Sequence, residues 1–170
     1  MEKLTKGVTN ILSFILIVLM AVMVLDVTWQ VMTRFIMKNP SSFTEELAGY
    51  LLIWISLLGA SYALHTRAHL GIDVLTFKLT GVKKQVVEIS ISMIVLLFAF
   101  FVMVIGGLRL VNLTLTLNQI SPAMGLKMGY VYLVIPVTGI LFIYYSIDFI
   151  VQAIKKKPAV VEKQHFITVE

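Results

Sequence analysis

Cysteine does not occur among the 170 residues, which excludes disulfide staples, thiol redox chemistry, iron-sulfur clusters and cysteine-rich zinc sites. Charge is scarce as well: Asp, Glu, Lys and Arg make up 14% of the chain, against about 25% in an ordinary soluble domain. Also missing are the GxSxG, Walker, Rossmann, kinase and HExxH patterns, so no hydrolase, ATPase, dehydrogenase or metalloprotease chemistry is expected, and no cofactor. A haem carrier would need histidines inside its apolar runs, and His65, His69 and His165 lie outside them.

What the chain has in abundance is apolar surface. Hydrophobic residues make up 59% and the mean hydropathy is +0.95, more than one soluble core of this size could hide. The solvent for most of this surface is therefore a lipid bilayer. The net charge of +5 comes from Lys and Arg in short clusters between apolar runs, with no aromatic-interleaved basic stripe, so no nucleic acid partner is expected.

Four apolar runs predict an all-α integral membrane protein with four transmembrane helices, over about 11–37, 47–64, 86–111 and 129–154. The first run is too long for a secretory signal and lacks a small-x-small cleavage site, so it reads as a retained anchor. Its Asp26 costs about 3 kcal/mol near a helix centre, which some fifteen apolar residues at roughly −0.3 to −0.6 kcal/mol each outweigh. Ser42 and Glu45 have capping-box spacing at the start of the second run. The segment 71–81 is too short and polar to cross, and reads as a short amphipathic helix lying in the interface. Leu110, Leu113, Leu117 and Ile120 extend the third helix's register outward, in preference to a period-two strand over 112–118. Pro136 and Gly139 should break the fourth helix mildly.

Orientation follows from the basic residues. Lys3, Lys6, Arg67, Lys78, Lys83, Lys84, Lys155, Lys156, Lys157 and Lys163 fall on one side, and Arg34, Lys38, Arg109 and Lys127 on the other. The positive-inside rule then puts both termini and the middle loop in the cytoplasm, with one membrane domain over 1–157 and a flexible cytoplasmic tail over 158–170.

Asp26, Gln30 and Arg34 recur at i, i+4 and i+8 and predict a polar stripe. A buried hydrogen-bonded seam to a neighbouring helix or subunit explains it better than a proton relay, which needs a second acid or histidine. Ser56, Gly59, Ala60 and Ala63 form the best helix-packing face in the chain, because small residues let backbones approach closely where lipid is the competing solvent. Glu46, Tyr50 and Trp54 share another face of the same helix and read as partner contacts or interfacial anchors. Glu45 and Glu46 point about 100° apart, so they do not converge on one reacting atom. His65, Arg67, His69 and Asp73 mark the interfacial loop; their ligand count is too low for a metal site, and surface histidines capping the second helix are expected instead.

Read in order, Glu45-Glu46-Leu47-Ala48-Gly49-Tyr50 leading to Trp54, Gly59-Ala60-Ser61-Tyr62-Ala63 leading to His69 and Asp73, Ser121-Pro122-Ala123, and Gly129-Tyr130-Val131-Tyr132 leading to Pro136 resemble one family. This is the small membrane subunit of tripartite ATP-independent periplasmic (TRAP) transporters, the DctQ-like proteins. The resemblance spans nearly the whole chain. It implies a bacterial inner-membrane complex with a large multi-span subunit that carries substrate and sodium ions, and a periplasmic binding protein that delivers a carboxylate such as a sialic acid or a C4-dicarboxylate. The small subunit would brace the large one. The rival reading is a self-sufficient four-helix homodimeric exporter using Asp26.

Overall fold

The computed structural model describes residues 2–38, 41–66 and 82–155, and all regular elements among them are helical apart from one isolated bridge, Ile120 to Lys127. The interfacial segment 71–81, the tail beyond Lys155, and Arg67, His69 and Asp73 lie outside the described residues. Four stretches are long and apolar enough to cross a membrane: Leu4–Phe35, Ser42–His65, Gln85–Thr116 and Met128–Ile154. The all-helical, four-span expectation therefore holds.

Span one is a single helix, α1 (Glu2–Phe35). Its enclosed positions are Thr5, Leu12, Asp26 and Thr33, and the half-buried Thr9, Leu16, Leu19, Met23 and Gln30 fill the intervals. The spacing alternates between three and four residues, which keeps one narrow seam facing a neighbour, as in a coiled coil. Most of the remaining positions of α1, including Ile11, Phe14, Ile17 and Leu25, are exposed and apolar. A helix apolar all round with one packed seam suits a lipid solvent.

Span two is α2 (Ser42–His65). The N-cap is Ser41, so the box expected from Ser42 and Glu45 does not form. The helix begins one residue earlier than that box requires, which makes Thr44 the third helical position; its hydroxyl donates to the Ser41 carbonyl at 3.0 Å. Glu45 remains in the first turn, where a negative charge complements the helix dipole.

Span three runs as α3 (Val82–Phe98), a π-helical segment (Ala99–Gly106) and α4 (Gly107–Thr116). Helix continues past Val111 as far as Thr116, in place of the strand alternative over 112–118, but the expected register stops there: Leu117 caps the helix and Ile120 lies in the isolated bridge. The π segment is a feature the sequence reading did not contain. It lies against Gly139, where an added Cβ would come within 2.8 Å of the Met103 Cβ and 3.2 Å of the Val104 backbone nitrogen. Gly107 makes the reciprocal approach, with Ile135 and Pro136 atoms at 3.0 Å from its virtual Cβ. Small residues on both helices thus allow backbone contact between spans three and four.

Span four is α5 (Met128–Tyr132) and α6 (Val134–Lys155), with the interruption at Leu133. Pro136 has no N–H to give the Tyr132 carbonyl four residues back, and its ring crowds that carbonyl, so the chain loosens one turn before the proline. Span four is the central element: 39% of its most apolar window is enclosed, against 6% for span one. It packs between spans two and three, while span one lies along span two. The helices alternate in direction, so the start of α1 and the end of α6 share one end of the bundle, here the terminal end; the other is the Glu46 end.

Candidate functional site

At the Glu46 end the connection between spans three and four is tied to α2. One oxygen of the Glu46 carboxylate accepts from the Ala123 amide at 3.1 Å; the other accepts from the Met124 amide at 3.0 Å and from the Ser121 hydroxyl. The Ser121 Oγ also accepts from the Met124 amide at 3.2 Å. Within the same turn the Gly125 amide donates to the Ser121 carbonyl at 3.0 Å, and Gly125 takes φ +66°, the left-handed region open to glycine. Adjacent donors of a tight turn thus converge on one carboxylate, an arrangement that fixes a loop without covalent chemistry.

The same face of α2 continues the attachment. One turn in, the Tyr50 hydroxyl donates to the Met128 sulfur at 3.3 Å; a further turn in, the Trp54 indole N–H donates to the Val131 carbonyl at 3.1 Å. Val131 belongs to the turn just before the Pro136 break, where backbone carbonyls lose regular partners. Glu46, Tyr50 and Trp54 therefore form a ladder that holds the segment 121–131 against α2. Sequence reasoning placed these three on one face but did not find Met124, Met128 or Val131. Nothing in sequence distance signals that Ser121-Pro122-Ala123 meets Glu46.

The terminal end carries a second polar tie. Thr5 and Thr9 on α1 share hydrogen bonds with the hydroxyls of Tyr144 and Tyr145 at 3.1 and 3.3 Å. The His65 ring lies 4.9 Å from that of the fully enclosed Tyr145. His65, expected at the surface, is half-buried, because the last turn of α2 ends against span four rather than in solvent. Gln85 extends the tie to span three by donating to the Ala153 carbonyl at 2.7 Å.

Asp26, Gln30 and Arg34 do not behave as one stripe. Asp26 is 8% exposed, Gln30 is half-buried and Arg34 faces outward, while Thr33 takes the enclosed position on the seam. The difference is rotational: the seam advances by alternating steps of three and four, so a strict i+8 position drifts off it. Asp26 Oδ2 is enclosed and meets no hydrogen-bonding partner among the described residues.

The small-residue face of α2 is open. Ser56 is exposed, Ala60 and Ala63 are half-buried, and a Cβ built on Gly59 or on Gly49 would meet no described residue within 4 Å. Thus α2 has one face bound to its own chain and one of small side chains that the described residues cover only in part. No group of three or more His, Asp or Glu able to hold a metal ion occurs among the described residues.

Four helices long and apolar enough to cross a membrane, with polar side chains that tie the chain to itself, define a multi-pass membrane protein. The pattern of the DctQ component of tripartite ATP-independent periplasmic transporters matches residues 23–156, and the chain belongs to this family. It is 29% identical over 141 residues, 83% of this chain and 86% of the other, to a TRAP transporter small permease protein of Haemophilus influenzae. It is 30% identical over 106 residues, 62% of this chain and 61% of the other, to the sialic acid TRAP transporter small permease protein SiaQ of Vibrio cholerae. It is also 32% identical over 96 residues to the isethionate TRAP transporter permease protein DctMQ of Oleidesulfovibrio alaskensis, covering 56% of this chain but 15% of that one.

Proposed function

We propose that this chain is the scaffolding subunit of a TRAP transporter in a bacterial inner membrane, with both termini cytoplasmic, and that it grips a large multi-span transport subunit through the open face of α2. The observation that carries the reading is that face: Ser56, Gly59, Ala60 and Ala63 are backbone-approach residues, yet no described residue comes within 4 Å of a Cβ built on Gly59. The DctMQ relative supports it, since a stretch similar to this chain occurs there inside a much longer permease polypeptide. Span one, with Gln30 and Arg34 toward its Glu46 end, flanks the same surface because it lies along α2.

The large subunit would carry a carboxylate such as a sialic acid or a C4-dicarboxylate together with sodium ions, after delivery by a periplasmic binding protein. SiaQ among the relatives favours the sialic-acid class. The connection 117–127, fastened by Glu46, would then be a firm periplasmic landing surface beside the large subunit. The exporter alternative requires a substrate-accessible acid, and Asp26 is enclosed.

Gly59→Leu, whose Cβ would meet no described residue within 4 Å, tests the reading. Co-purification of the large subunit should drop while the small subunit still accumulates in the membrane. Undiminished co-purification would remove α2 from the interface.

A further inference from the structure

Helical hydroxyls in this chain commonly bond back to their own helix. Those of Thr28, Ser92, Thr114 and Thr116 each donate to the carbonyl four residues earlier, at 2.6–2.9 Å, which satisfies them without any outside partner. Ser61 and Thr138 depart from this pattern. Both are fully enclosed, at 0% exposure, and neither hydroxyl oxygen meets a hydrogen-bonding partner among the described residues. The Nδ1 atom of His65 is likewise enclosed and unpartnered.

These three atoms belong to one stretch of the seam between α2 and α6, helices that run in the same direction. At one side of the stretch Trp54 bonds the Val131 carbonyl; at the other the His65 ring lies 4.9 Å from that of Tyr145. Ser61 and Thr138 each stand seven residues beyond the first contact, a step of two turns that returns to the same face, so they face one another across the seam. Ser61 and His65, four residues apart, are neighbours on α2.

Enclosed polar atoms that bond neither each other nor solvent are costly, and facing groups beyond bonding distance are what a bridging water joins. Two hydroxyls and an imidazole nitrogen supply the two to four polar partners such a water takes. They supply no charge for a cation: the nearest acids along these two helices, Glu46 and Asp148, are 15 and 10 residues away, about 22 and 15 Å of helix rise. Access is short, since His65 ends α2 and Thr66 is exposed, which leaves Ser61 about 6 Å of rise from the helix end. We propose that a water molecule is bound between α2 and α6 by Ser61 Oγ, Thr138 Oγ1 and His65 Nδ1. It continues the ladder of Glu46, Tyr50 and Trp54 along the same face, so that α2 is held to span four by direct bonds toward the Glu46 end and by a bridged one toward the terminal end.

Water-edited solid-state NMR on the full-length chain in vesicles of deuterated phospholipid tests this: polarisation starts on water protons and is read on protein 13C. The Cβ signals of Ser61 and Thr138, assigned by backbone connectivity, should build up several-fold faster than that of Thr114. Thr114 is the matched control, being 3% exposed, two residues from the end of its helix and bonded to its own carbonyls. Thr138→Val should slow the build-up at Ser61, because it removes one of the groups that hold the water. Build-up at Ser61 and Thr138 as slow as at Thr114 would overturn the proposal, as would a Ser61 build-up that Thr138→Val leaves unchanged. The first comparison is made on the unmodified chain, and on the face of α2 bound to that chain, so it is independent of whether the small-residue face grips a large subunit.

Discussion

The carboxylate of Glu46 and the backbone amide of Met124 lie 3.0 Å apart although 78 positions separate them in the chain. That contact closes the Glu46 end of the bundle. It turns an eleven-residue connection between Thr116 and Met128 into a fixed surface, and it leaves the remaining faces of α2 for other work.

If the carboxylate organises this turn, Glu46→Gln should loosen it, because an amide NH2 cannot accept from the Met124 N–H. Hydrogen exchange at Ala123 and Met124 should accelerate, while amides in the middle of α6 keep their protection. Equal protection of the turn in both proteins would show that the backbone holds its shape unaided.

Trp54→Phe removes the donor to Val131 and leaves that carbonyl without its side-chain partner, a loss of about 1 kcal/mol. Reversible unfolding in mixed micelles should register it. Trp29→Phe, at an exposed position of span one, should change stability by less than roughly 0.5 kcal/mol.

The glycines should separate by what faces them. Gly139→Ala forces a Cβ against the Met103 Cβ and the Val104 backbone, and overpacking of this kind costs about 1–3 kcal/mol. Gly129→Ala meets Leu115 Cγ at 2.4 Å and Cδ2 at 2.6 Å, a side-chain clash that a change of the Leu115 rotamer relieves, whereas the backbone facing Gly139 has no such freedom, so the cost at Gly129 should be smaller. Thermal unfolding of the two variants side by side should give that order; the reverse order would contradict the backbone contact between spans three and four.

Asp26→Asn should leave the isolated chain as stable as the parent or more so, since it replaces an enclosed carboxylate that has an unpartnered oxygen with a neutral group of the same shape. Loss of the folded protein on this substitution would mean that Asp26 has a charge-dependent partner the structure does not contain.

Much of this architecture was legible because lipid imposes simple rules. Apolar runs of bilayer length gave four helices, and the i, i+4, i+8 spacing of Glu46, Tyr50 and Trp54 put them on one face. Their partners were not legible: the approach of Ser121 and Val131 to α2 depends on how spans two and four pack, which leaves no local pattern. The π segment was invisible for a similar reason, since it adjusts span three to the close approach of Gly139. The Ser42 box and the Asp26 stripe were each missed by one residue, Ser41 and Thr33. In both cases a single-residue shift along a helix rotates a side chain by about 100° and changes what it can reach.

The central claim is that α2 offers its small-residue face to a larger membrane subunit. Photocrosslinking in intact membranes, with a reactive amino acid placed at position 59 on α2 or at position 101 on the π segment, addresses it most directly. The account predicts an adduct with the large permease from position 59. A permease adduct from position 101, with none from position 59, would contradict it.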